Sequence, residues 1–178
     1  MRKITLYIAQ SLNGKIAKSD GSVAWLESIP NPDKNDYGYS KFYDSVDTTI
    51  QGYTSYKQVI DWGIDFPYAG KKNFVLTRKS NLKSTEHVEF ITENPIEFIK
   101  QLKNKRGGEI WLIGGGQINT LLLNENLIDE IHVFIMPIVL DGGIEIFEGL
   151  PMETKLKVLD SKIYSNGVSE ILYKVIHD

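Results

Sequence analysis

Cysteine is absent from the 178 residues. Disulfides, thiolate metal sites and thiol nucleophiles are therefore excluded, and a reducing cytoplasm is the expected setting. No apolar stretch approaches the ~18 residues that a membrane span requires. The opening "MRKITLYIAQSLNGK" has neither the apolar core nor the small-residue cleavage site of a secretory leader. A soluble cytoplasmic protein without a membrane partner is the expectation. Excess positive charge is missing too: the formal net charge is −3, which argues against an electrostatic footprint for nucleic acid. Histidine is scarce, and His87, His132 and His177 have no ligand-like spacing, so no metal site is expected. Repeats, low-complexity tracts and Pro/Gly/Ser linkers are also lacking, which leaves 1–178 as one expected domain. With 42% apolar residues, a chain of this size buries roughly 70% of its unfolded surface and needs no crosslink to hold a core.

Strand-like and helix-like stretches alternate along the chain. "KITLYIAQ" (Lys3–Gln10) alternates Ile4, Leu6 and Ile8 with Thr5, Tyr7 and Ala9, a strand signal. The long segment after it carries the turn dipeptides Asn13-Gly14 and Asp20-Gly21 and reads as a functional loop. A helix is expected from Asp36 to about Val46, with Tyr39, Phe42, Tyr43 and Val46 on one stripe. "DTTIQG" (Asp47–Gly52) then reads as a strand, and "YTSYKQVIDW" as a helix opening directly after Gly52. Lys72–Thr77 and Val88–Thr92 are strand-like. Asn94, Pro95 and Glu97 form a capping-box-like helix start. Strand "EIWLI", three glycines, helix "GQINTLLLNEN" and strand "DEIHVFIMP" follow. Strands alternating with helices indicate parallel crossovers. Asn166-Gly167 between two strand-like runs marks a hairpin. The expected fold is α/β, with a mostly parallel central sheet, helices on both faces and an antiparallel C-terminal hairpin.

Gly114-Gly115-Gly116 lies between a strand's end and a helix's start. In open α/β sheets ligands bind outside the carboxyl ends of the strands. A helix start offers unpaired N–H groups and the positive end of the macrodipole, which suits phosphate. The run therefore reads either as a phosphate cradle or as a tight, closely packed turn. Two familiar glycine motifs fail. A Rossmann fingerprint requires glycine where Asn119 stands, and the chain contains no Gly-Lys-Ser/Thr. A G-x-S-x-G elbow for a serine nucleophile is also missing.

Five stretches together resemble the dihydrofolate reductase superfamily: "ITLYIAQSLNGKIA", "GYTSY", "GKKNFVLTRK", "IWLIGGGQI" and "LDGGIEIF", in that order. They resemble most its riboflavin-pathway branch, the pyrimidine reductase domain, and the small stand-alone relatives of that domain. The resemblance spans nearly the whole chain. It implies a dihydrofolate reductase-like three-layer αβα fold with NADPH along the sheet's C-terminal edge. Ala9 would touch the nicotinamide carboxamide through its backbone, under a loop containing Gly14 and Ile16. Gly52, Tyr53 and Thr54 would turn helix N–H groups toward the phosphates, although the family commonly has arginine where Tyr53 stands. Thr77, Arg78 and Lys79 would grip the adenosine 2′-phosphate; a hydroxyl and two cations suit a dianion. Gly114, Gly115, Gly116, Gln117 and Ile118 would cradle the pyrophosphate, with a cis Gly114–Gly115 peptide.

On the substrate side, the resemblance places a catalytic carboxylate near Asp36, with Asp33 beside it and Trp25 as a wall of the pocket. A carboxylate there could orient and help protonate a pterin, although the pyrimidine reductases do not rely on it. The plainer reading of Asp36 is a helix-start acid that complements the dipole. The expected activity is NADPH-dependent reduction of a pyrimidine or pterin-like small molecule, with 5-amino-6-(5-phosphoribosylamino)uracil as one candidate. The proton would come from water or from Asp36. A phosphorylated substrate should meet further cations, and Lys15 and Lys41 are the ones on offer. Dihydrofolate reductase activity and a non-catalytic nucleotide- or pterin-binding module are the alternatives. A heterocyclic small molecule is the expected partner, and the resemblance also allows a homodimer.

Overall fold

The computed structural model describes residues 1–177. In chain order the elements are β1 (Ile4–Ser11), β2 (Lys15–Ala17), a 3-10 turn (Ala24–Ser28), α1 (Tyr39–Ser45), β3 (Val46–Gly52), α2 (Tyr53–Asp61), β4 (Lys72–Leu76), β5 (Val88–Ile91), α3 (Pro95–Asn104), β6 (Glu109–Gly114), α4 (Gly116–Asn124), β7 (Glu130–Met136), β8 (Ile144–Glu145), β9 (Leu156–Ile163) and β10 (Ser169–Val175). The main sheet runs β5-β4-β3-β6-β1-β7-β10-β9. Its first six strands are parallel, and β10 and β9 are antiparallel additions.

The order follows from crossover handedness. From β1 through α1 to β3, and from β3 through α2 to β4, the chain steps one way across the sheet. Through α3 and α4 it steps back. Right-handed crossovers then put α1 and α2 on one face and α3 and α4 on the other. The packing agrees. Ile4, Leu6, Ile50, Ile110 and Leu112 meet Ile99, Leu102 and Leu122 of α3 and α4 in the larger core. Burying each such side chain contributes about 1.5–3 kcal/mol. On the opposite face Phe42 of α1 stacks on Tyr7 at 4.2 Å, and Trp111 stands edge-on to Phe42. A smaller core there joins Trp25, Phe134, Met136, Leu140 and Val168.

Three expectations change. Asn94 does not cap α3: its own backbone is left-handed (φ 45) and its side chain makes no cap bond. Glu97 instead accepts a hydrogen bond from Gln101 at 2.9 Å. The long segment after β1 is not all loop, since β2 pairs with β8 in a separate two-stranded sheet. The first helix starts at Tyr39 rather than Asp36, because Lys34, Tyr37 and Gly38 all take positive φ. Among the described residues no helix is long and apolar enough to cross a membrane.

Candidate functional site

Four expected segments converge at the carboxyl ends of the parallel strands. α2 and α4 start from neighbouring strands and on opposite faces of the sheet, and neither start has a side-chain cap. Their first turns are in contact: a Cβ on Gly52 would lie 3.0 Å from Ile118 Cγ1, and one on Gly115 would lie 3.4 Å from Ser55 Oγ. Two sets of uncapped N–H groups therefore face one small region, which is the arrangement an anion requires.

The three glycines have three different causes. Gly114 has φ +109, a conformation other residues resist. Gly116 lies against the end of β8 and the chain after it: a Cβ would stand 2.2 Å from the Glu145 carbonyl oxygen and 2.9 Å from Glu148 Cβ. Gly115 has ordinary φ −73, and apart from its chain neighbours a Cβ there would meet only Ser55 Oγ at 3.4 Å. A bare backbone at this point lets a ligand approach closely. The Gly114–Gly115 peptide is cis, as the resemblance implies.

The segment after β4, expected to meet the cofactor, is tied to the start of α2. Lys79 Nζ sits 4.2 Å from the centre of the Tyr53 ring, a cation–π contact. A positive charge is thus held beside the first turn of α2, where the family's arginine is missing. Thr77 Oγ1 accepts from the Lys79 N–H at 3.1 Å and fixes the bend after β4, while Arg78 is exposed. Thr54 and Gln117 lie at the helix starts. Ala9 is near the end of β1 and packs against the smaller core containing Trp25. Gly14 turns with φ +77, and its carbonyl accepts from the Ile146 N–H at 3.0 Å. Ile16 is in β2, so the loop expected over the cofactor is braced by the chain around β8.

The substrate-side carboxylates lie elsewhere. Asp36 is fully exposed, and its carboxylate accepts from the N–H groups of Gly38 at 2.9 Å and Ser40 at 3.1 Å. The Ser40 side chain and those N–H groups hold it below the ordinary carboxylate range. Exposed and held low by these hydrogen bonds, Asp36 has the geometry of a helix-start acid rather than that of a buried acid with a raised pKa. Asp33 accepts from Ser165 Oγ at 2.8 Å in the β9–β10 turn. That turn leads into β10, four strands from β3, or roughly 19 Å at sheet spacing. Trp25 does wall the sheet face beside Ala9, but as core, and its indole N–H is buried without a partner. Lys15 is paired with Glu145 at 2.9 Å and is not free for a phosphate.

Other residues emerge only in three dimensions. Gln51, beside Gly52, is fully buried with both amide atoms unpartnered. Its one sequence signal is a polar residue in an otherwise apolar strand end. His132 shares Glu170 with Tyr164, its Nε2 lying 2.6 Å from Glu170 Oε1. Burial first, and the Glu170 charge second, push the neighbouring Tyr7 phenol well above its ordinary range. Finally, a cavity of about 540 Å³ opens between the later turns of α2 and the segment 20–27, lined in part by Asp20, Glu27, Gln58, Trp62 and Ile64. Gln58 donates to the Gly21 carbonyl and bridges its two walls. Among the described residues no group of three or more His, Asp or Glu is placed to hold a metal ion.

The relatives match this architecture. The uncharacterized protein YwjB of Bacillus subtilis is 40% identical over 167 residues, covering 94% of this chain and 95% of its own length. A candidate riboflavin-biosynthesis protein from Shewanella sp. PV-4 superposes with a TM-score of 0.87 at 28% identity, over 99% of this chain and all of that one. The diaminohydroxyphosphoribosylaminopyrimidine deaminase/5-amino-6-(5-phosphoribosylamino)uracil reductase of Thermotoga maritima shares the fold, with a TM-score of 0.74 at 16% identity. It covers 98% of this chain, which spans 57% of that larger protein. Residues 68–169 match the RibD C-terminal domain family. With its uncapped paired helix starts, its cis Gly114–Gly115 peptide and its eight-stranded sheet, the chain belongs to the RibD C-terminal domain family.

Proposed function

We propose that this protein is an NADPH-dependent reductase of a pyrimidine or pterin-like heterocycle. The observation that carries the reading is the pair of uncapped helix starts meeting at Gly115, where the backbone is bare. The residues fit a dinucleotide phosphate. The N–H groups of Tyr53, Thr54, Gly116 and Gln117 would hold the pyrophosphate. Thr77, Arg78 and Lys79 would hold a 2′-phosphate, with Lys79 steadied by the Tyr53 ring. When bound, NADPH would supply hydride to an electron-poor carbon of a C=N or masked carbonyl.

The chain's own residues bind, orient and exclude water. Ala9 presents half-buried backbone near the end of β1, held by the packed core of Trp25 and Phe134 behind it. The Gly14 turn, tied to Ile146, would close over that strand end. With Asp36 committed to a helix start, the proton comes from solvent, and catalysis rests on positioning. The name of the Thermotoga maritima relative supports a pyrimidine substrate class.

That same capping role of Asp36 favours one alternative, a nucleotide-binding module without turnover. Steady-state NADPH oxidation with a panel of pyrimidines and pterins separates the two. Oxidation dependent on one class supports the reductase. Saturable NADPH binding with no oxidation on any compound overturns it and leaves the module.

A further inference from the structure

We infer that Tyr53 is a positioning residue whose ring aims the Lys79 ammonium at the start of α2, so that one cation serves the cofactor's diphosphate as well as its 2′-phosphate. This rests on the reductase reading and deepens its cofactor half.

Charge at the helix start comes first. Tyr53 opens α2, and neither α2 nor α4 has an acidic residue in its first turn. The positive potential of two helix ends therefore meets no negative side chain on either helix. The first turn of α2, Tyr53-Thr54-Ser55-Tyr56, brings no cation of its own. One arrives from elsewhere: Lys79 Nζ, from the segment after β4, stands 4.2 Å from the centre of the Tyr53 ring. Helix dipoles favour cations at C-terminal ends and disfavour them at N-terminal ones. Among the described residues Lys79 makes no ion pair that would offset this placement. Positive charge gathered at one point without a carboxylate is an arrangement that a bound anion relieves.

The ring itself is held. Tyr53 is half-buried, with Tyr56 and Phe90 centred 6.2 and 6.4 Å away. Tyr56 in turn stands edge-on to Phe90 at 5.4 Å. At the other end of the lysine, its backbone N–H donates to Thr77 Oγ1 at 3.1 Å. A flexible four-carbon stem is thus anchored at both ends. An exposed cation–π contact is worth roughly two- to fivefold in an equilibrium constant. Because the ring belongs to α2 and not to segment 77–79, the ammonium it holds lies beside the helix N–H groups. Arg78 is exposed and outside this contact, which leaves it to the 2′-phosphate. Lys79 should therefore matter to NADH, which has no 2′-phosphate, whereas Arg78 should not.

Fluorescence titrations of the intact protein with NADPH and NADH at low salt test this. Lys79→Ala should weaken both nucleotides, NADH by on the order of fivefold. Arg78→Ala should weaken NADPH and leave NADH within about twofold. Tyr53→Leu should weaken NADH by about two- to fivefold when Lys79 is present, and by less than about 1.5-fold in the Lys79→Ala background. Tyr53→Phe keeps a ring and should bind as the wild type does. Tyr53→Arg puts the cation on the helix itself and should make Lys79→Ala silent. Thermal melts check that each variant is folded, and Lys79→Ala, at an exposed side chain, decides the matter even where Tyr53→Leu does not fold. NADH affinity untouched by Lys79→Ala overturns the inference, as does an equal Tyr53→Leu loss with and without Lys79. In both cases the wild type still binds NADPH and the reductase reading stands. Binding of neither nucleotide to the wild type removes that reading and the inference with it.

Discussion

Substituting alanine at Gly115 and at Gly116 should give different results, although the residues are adjacent. At Gly116 the new methyl would stand 2.2 Å from the Glu145 carbonyl oxygen and 2.9 Å from Glu148 Cβ. The first obstacle is backbone and cannot swing aside. Relief must come from moving the chain after β8, which also breaks the 3.2 Å hydrogen bond from the Glu148 N–H to the Gly116 carbonyl. Overpacking costs about 1–3 kcal/mol and the lost bond about 1 more. For a domain of this size that is a fall in Tm of roughly 5–15 °C. At Gly115 the nearest atom is Ser55 Oγ at 3.4 Å, an ordinary contact, and restricting the unfolded chain contributes about 0.4–1 kcal/mol. Gly115→Ala should therefore cost clearly less stability than Gly116→Ala. It should nevertheless weaken NADPH about tenfold or more, or ~1.4 kcal/mol, by standing between the helix starts and the phosphate. Thermal melts and an NADPH fluorescence titration read both quantities. The reasoning fails if Gly115→Ala melts as early as Gly116→Ala, or if it keeps both its Tm and its full NADPH affinity.

Three further outcomes follow from particular side chains. Gln51→Leu removes two buried, unpartnered amide atoms at similar volume and should leave stability unchanged or raise it by about 1 kcal/mol; a clear loss in denaturant melts would mean that Gln51 has a partner. Asp47 lies below its ordinary 3.8: burial pushes it up, but the Thr48 hydroxyl, the Gly108 N–H and Arg2 outweigh that. With a depressed folded pKa, its contribution is present above the ordinary value and lost as pH falls through the folded one. Stability should thus drop below about pH 4, more shallowly in Asp47→Asn, and parallel curves for the two proteins would contradict this. Asp36→Asn keeps the cap acceptor and should retain turnover within about threefold, whereas a loss on the order of a hundredfold or more in kcat, the range that general acid catalysis typically supplies, would support an acid role.

The fold was largely legible because its signals are local. Alternation in Lys3–Gln10, the Asn166-Gly167 turn and the glycine stops each needed only a few neighbouring residues, and strand positions followed to within a residue or two. Asn94 departs from the capping-box pattern that Pro95 and Glu97 suggest because its backbone is left-handed. Pairing of β2 with β8 escaped notice because its partners are more than a hundred residues apart and β8 is two residues long. The expected cofactor segments lie in backbone at strand ends, which glycines announce. The cavity is not announced: Asp20, Glu27 and Trp62 meet only through the packing of segment 20–27 on α2, and no spacing in the chain signals it. Asp36 sat at the right count from Gly52, but three positive-φ residues delay the helix and leave its carboxylate in solvent.

The central claim is that the two helix starts and the segment after β4 form one dinucleotide site. Titrating wild type and Arg78→Ala/Lys79→Ala with NADPH and NADH tests it most directly. Saturable NADPH binding, preferred over NADH by about tenfold or more in the wild type and reduced to near parity in the double variant, is the expected result. No saturable binding of either nucleotide to the wild type would contradict the claim.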